Sequence, residues 1–247
     1  PELAKMVASA GTEGGEATID LQAVVTASAF GKLQERFEGS EHLELINANE
    51  DRADDLAFVL NSDFVKDNAV IQDKFFNNFA KIDDLLDLTK VLKDDATKMG
   101  VVYENLHKAD DLKALVNQFR FEDDKLDTVF SQLDNVADLR SLSDKYKEDA
   151  TKLDSLFANP DKVETIKVLD DTYDDVQMNM VFGNLDYLTE LQLIATSFEA
   201  DKREAVLDEL QALTTKYTND PAKRKVLFEN PGQLASISQL VEELDAD

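Results

Sequence analysis

Phe76 to Leu92 reads FNNFAKIDDLLDLTKVL. The pattern returns as YENLHKADDLKALVNQF from Tyr103, FSQLDNVADLRSLSDKY from Phe130 and FANPDKVETIKVLDDTY from Phe157. The four leading aromatics stand 27 residues apart each time. A fixed period of that size is the signature of a repeat architecture, and it bears on the whole fold before any single helix is assigned.

Taking the aromatic as position zero, apolar residues recur at +3, +6, +9 and +12. They are Phe79, Ile82, Leu85 and Leu88 in one unit and Leu133, Val136, Leu139 and Leu142 in another. A further large residue follows at +16, as Leu92, Phe119, Tyr146 and Tyr173. Spacings of three and four keep these side chains on one helix face. Similar segments start at Phe182, Leu207 and Phe228, after steps of 25, 25 and 21 residues.

Position +2 is Asn78, Asn105, Asn159, Asn184 and Asn230, with Gln132 and Glu209 as departures. Asparagine is a favoured N-cap, and Pro160 and Pro231 directly after it suit a first helical turn. The second helix of each unit is therefore expected to start at +3 and run about 14 residues. An acidic turn follows, as in Asp94-Asp95, Glu148-Asp149 and Asp174-Asp175, and then a first helix of about nine residues. Neither helix would be stable alone, so each unit needs neighbours.

An earlier unit begins near Asn47, where Ala53-Asp54-Asp55-Leu56 repeats Ala109-Asp110-Asp111-Leu112. The reading is an all-α chain: an α-solenoid-like array of about eight helix-turn-helix repeats over residues 46–247, with a compact multi-helix bundle as the alternative. Residues 1–45 stand outside the repeat as a cap or join, with a loose Gly11-Thr12-Glu13-Gly14-Gly15 linker and a helix from Asp20 to Phe37. The final unit stops at Asp247, position +19, and the array is expected to continue in a longer parent protein.

The chain carries 52 acidic and 26 basic residues, a formal charge of -26, which makes nucleic acid and anionic membranes poor partners. There is no cysteine, which excludes disulfides, thiolate metal sites and cysteine nucleophiles. No apolar run approaches the roughly 20 residues needed to cross a bilayer. A soluble chain is expected, working at the surface or outside of a bacterial cell.

Histidine occurs only as His42 and His107, both read as solvated surface residues. With no H-E-x-x-H, no phosphate-cradling G-x-x-x-x-G-K-[ST] and no G-x-G-x-x-G, the sequence nominates no catalytic, cofactor-binding or metal-ligating residue. The acidic turns could, stacked along one edge, hold calcium weakly. The favoured reading makes them solvated turns and N-caps for the following short helix. An enzyme working through carboxylates would need a pocket that breaks the repeat, best sought between Glu199 and Lys225.

The expected function is a non-enzymatic structural or adhesive scaffold module, part of a larger repetitive surface or secreted protein and capable of self-assembly. The alternative is an acidic module that captures a basic protein or mimics nucleic acid.

Overall fold

A computed structural model describes residues 21–245. Sixteen α-helices and short 3-10 turns make up its regular structure, and no strand occurs among the described residues. The helices are α1 (Leu21–Arg36), α2 (Leu43–Asn47), α3 (Ala53–Leu60), α4 (Ala69–Asn77), α5 (Ile82–Leu92), α6 (Ala96–Glu104), α7 (Ala109–Phe119) and α8 (Asp123–Ser131). They continue as α9 (Val136–Tyr146), α10 (Ala150–Ala158), α11 (Val163–Asp170), α12 (Asp175–Gly183), α13 (Leu188–Ser197), α14 (Ala200–Lys216), α15 (Pro221–Glu229) and α16 (Leu234–Asp245). The expected helix at 20–37 is α1; the glycine-rich stretch at 11–15 lies outside the described residues.

The sequence period is visible in the elements. First helices of nine residues alternate with second helices of eight to eleven, joined by 3-10 turns at Phe79–Lys81, Leu106–Lys108, Leu133–Asn135 and Pro160–Lys162. Each such turn covers positions +3 to +5, so the second α-helix starts at +6, three residues later than the sequence suggests. A 3-10 turn has three residues per turn and eclipses i with i+3, which is why the apolar spacing opens with a strict three. The side chains at +6, +9 and +12, such as Ile82, Leu85 and Leu88, are fully buried, whereas Phe79 and Leu133 at +3 are half-buried.

The asparagine at +2 does not serve as an N-cap. Its side-chain Nδ2 donates backwards to the carbonyl four residues earlier: Asn78 to Lys74 O at 2.8 Å, Asn105 to Val101 O at 2.9 Å and Asn159 to Ser155 O at 2.8 Å. Asn49, Asn184 and Asn230 do the same. Its own carbonyl meanwhile accepts the backbone N–H three residues on, as Asn78 O does from Lys81, which closes the 3-10 turn. The residue thus satisfies a carbonyl left over at the end of the short helix and turns the chain into the next one. Aspartate is an equally good N-cap but cannot donate to a carbonyl. Asn105→Asp is therefore expected to lower the unfolding free energy by about 1 kcal/mol or more, by urea denaturation. An unchanged value would restore the N-cap role.

The acidic turns do cap the short helices. Asp95 Oδ1 accepts from Lys98 N at 2.9 Å, Asp149 Oδ1 from Lys152 N at 3.1 Å and Asp220 Oδ1 from Lys223 N at 3.1 Å. Asp174 forms a full capping box with Gln177. The lysine of each D-x-x-K group also pairs with its aspartate, as Lys98 Nζ does with Asp95 Oδ2 at 2.8 Å. That contact and the capped N–H hold the Asp95 carboxyl below its ordinary pKa.

The chain divides into two compact units, Pro1–Leu126 and Asp127–Asp247. In the first, α1 packs on α3, α3 on α5 and α5 on α7, while α4 packs on α6. In the second, α9 packs on α11, α11 on α13, α13 on α15, and α14 on both α15 and α16. The second helices of successive hairpins pack on one another, α3 on α5 on α7 and α9 on α11 on α13, burying residues such as Leu56, Leu85 and Leu112 in the first unit and Leu139, Ile166 and Leu191 in the second.

Two segments depart from the pattern. The unit expected at Leu207 is not a hairpin but the 17-residue helix α14: Glu209 replaces the turning asparagine, Lys216 and Asn219 stand at +9 and +12 where the other units are apolar, and the helix formers around Glu209 run on. Phe130 and Phe182, at position zero, are half-buried, whereas Phe76, Tyr103, Phe157 and Phe228 are in the core.

Candidate functional site

Two features of the surface stand out among the helices. The first is a register position. Among the exposed large apolar side chains, Phe58 on α3, Val168 on α11 and Leu193 on α13 all fall at +11, with exposures of 42, 42 and 57%. Val168 and Leu193 occupy that position on helices that pack against each other. Leu193 borders an open cleft of about 510 Å³ with Thr189, Gln192, Thr196 and Phe228, and Phe58 borders one of about 500 Å³ with Ala57 and Thr89. Single exposed apolar residues are ordinary, and the same position holds Asp87, Ala114 and Ser141 in the hairpins between, so of the three only Val168 and Leu193 stand on neighbouring helices.

Basic side chains are repeatedly drawn into pairs with carboxylates within the chain. Lys113 reaches Asp84 at 2.5 Å, Lys145 reaches Asp170 at 2.6 Å, Lys125 reaches Glu122 at 2.7 Å and Lys162 reaches Asp186 at 3.4 Å. Arg52 joins Asp83 across two hairpins, pairing also with Asp55. Such pairs stabilise little individually, but they leave the excess of carboxylates facing outward.

The second feature lies at the end of α1. Gly39, at φ 76, takes the left-handed backbone conformation that turns the chain back after Phe37. The turn brings Glu41 and His42 alongside α4. His42 is not the solvated residue expected from sequence: its side chain is only 14% exposed. Its ring stacks on Phe76, with centroids 4.2 Å apart and planes 13° from parallel, and meets Phe37 edge-on at 6.4 Å. His42 Nε2 lies 2.8 Å from Asp73 Oδ1, and its backbone N–H donates to Ser40 Oγ. Glu41 completes a group of three whose nearest ligand atoms lie within 4.8 Å of one another. His107, in contrast, is exposed in its 3-10 turn, as expected.

The surroundings hold this group in place. Arg36 donates from Nη1 to Leu60 O and Asn61 Oδ1, both at 3.0 Å, and from Nη2 to Lys66 O at 2.7 Å. Gln72 donates to Val65 O and Lys66 O at 2.9 and 2.8 Å. The segment entering α4 is thus tied to α1, which sets Asp73 against His42 above an open cleft of about 540 Å³. Sequence reasoning missed this trio because its members come from α4 and the α1–α2 turn, 31 residues apart, outside the repeat register; Gly39 was the one local signal of a tight turn.

The stretch from Glu199 to Lys225, where a repeat-breaking pocket was sought, is occupied by α14 and the start of α15. No described helix is long and apolar enough to cross a membrane. Comparison with protein-family models, with curated proteins and with solved structures gives no match for the chain.

Proposed function

We propose that the chain is a non-enzymatic scaffold module: an α-solenoid-like array of short hairpins whose exposed faces hold copies of the same chain. The observation that carries this reading is the pair of exposed apolar side chains at +11, Val168 and Leu193, on α11 and α13, which pack against each other. Nearest-neighbour packing supports it, because helices stacked through local contacts bring side chains of the same register position to neighbouring helices. The acidic composition and lack of cysteine fit a module of a larger repetitive surface or secreted protein.

Leu193→Asp tests the role of this pair. It replaces an exposed side chain, so the fold should survive, while self-association measured by light scattering should fall away. Association equal to that of the unaltered chain would remove Leu193 from the contact.

A second reading, capture of one basic protein, is favoured by the intramolecular pairing of the lysines and arginines, which leaves carboxylates in excess at the surface. The sign of the salt dependence separates the two. Salt screens the repulsion between like-charged copies and strengthens self-association, whereas it weakens attraction to a basic partner.

A further inference from the structure

We propose that Glu41, His42 and Asp73 form a binding site for a borderline divalent cation of zinc's class, held by three side chains with the remaining coordination positions left to water. The donor set is one imidazole nitrogen and carboxylate oxygens, the combination that suits zinc and its first-row neighbours. Calcium and magnesium prefer all-oxygen sites.

The geometry supports the assignment. Ligands of a tetrahedral zinc at about 2.0–2.1 Å lie about 3.3 Å from one another. The three donors already lie within 4.8 Å, and His42 Nε2 and Asp73 Oδ1 need to part only slightly from 2.8 Å. The imidazole does not have to be ordered on binding, because Phe76 and Phe37 already fix its plane. The ring is sheltered while Asp73, 58% exposed, opens to the cleft, so an ion has a path in.

Two cations border the same cleft, and both are held by other partners. The Arg36 guanidinium is spent on Leu60 O, Asn61 Oδ1 and Lys66 O, and Lys66 Nζ pairs with Asp63 at 2.5 Å. The trio itself carries two carboxylates against a single imidazole, so an incoming dication meets net negative charge.

Isothermal titration of the full chain, stripped of metal by a chelator, with zinc chloride tests the site. One tight site per chain is expected above the weak background of surface carboxylates. Loss of an outer-shell partner alone weakens metal binding by about tenfold or more, so His42→Ala and Asp73→Asn, which each remove a ligand, should weaken the tight site at least that much. Asp73→Asn is nearly isosteric and largely exposed, so it tests the site even if His42→Ala disturbs the packing on Phe76. His107→Ala should leave the titration unchanged. The proposal is overturned if the unaltered chain shows only background heat, or if Asp73→Asn binds zinc as tightly as the unaltered chain.

Discussion

Replacing Tyr103 by alanine is expected to lower the unfolding free energy by about 3–5 kcal/mol, while replacing it by phenylalanine should leave stability within about 1 kcal/mol of the unaltered chain or raise it. Tyr103 sits at position zero of its hairpin, is 1% exposed and packs beside Phe64, with ring centroids 5.7 Å apart. Truncation to alanine removes the ring from a close-packed core that can collapse only in part. The hydroxyl is another matter. It is buried with no hydrogen-bond partner among the described residues, and burial pushes its pKa up. Phenylalanine deletes that polar atom and keeps the ring. Urea denaturation of the two variants separates the contributions; a phenylalanine variant as damaged as the alanine one would mean that the hydroxyl, not the ring, holds this position.

Asp170→Ala should cost about 2 kcal/mol through a different mechanism, the orphaning of a buried partner. Asp170 is at the end of α11, with its side chain 8% exposed, and it accepts from Tyr146 Oη at 2.5 Å and from Lys145 Nζ at 2.6 Å, both on α9. Burial raises the Tyr146 pKa and the bond to Asp170 raises it further, so the phenol stays a donor. Burial works against the Lys145 charge, but Asp170 and Asp175 outweigh it and its pKa rises. Lys145 is about a third exposed and can turn to water, so most of the cost falls on the Tyr146 hydroxyl. In a double-mutant cycle, Tyr146→Phe should cost less in the Asp170→Ala background than alone. Strict additivity would show that the bond between α9 and α11 contributes nothing.

The parts of the fold that were legible in the sequence are those governed by local periodicity. The 27-residue spacing of Phe76, Tyr103, Phe130 and Phe157 placed the hairpins. The aspartates of the acidic turns also act as the N-caps expected of them, because an N-cap depends on residues within one helical turn.

What was misread depends on geometry that type and spacing do not encode. Asparagine is a good cap at either end of a helix, and only the backbone at Asn78 and Asn105 shows that its amide points backwards. The 3-10 turn explains a strict spacing of three that an α-helix tolerates but does not require. The unit at Leu207 keeps apolar residues only at +3 and +6, with Lys216 and Asn219 at +9 and +12 and Glu209 at +2, and the chain continues as α14. His42 looked like a surface residue because its partners, Asp73 and Phe76, are brought to it by packing of α1 against the segment leading into α4, a contact with no local trace in the sequence.

The central claim is that the exposed apolar pair Val168 and Leu193, on an acidic all-helical chain, belongs to an association face between copies of the chain. Its most direct test is the weight-average mass by light scattering, across a wide range of protein concentration, at low and at high salt. The account expects mass to rise with concentration, and to rise further at high salt as repulsion between chains carrying a formal charge of -26 is screened. A mass equal to one chain at every concentration and both salts would contradict it.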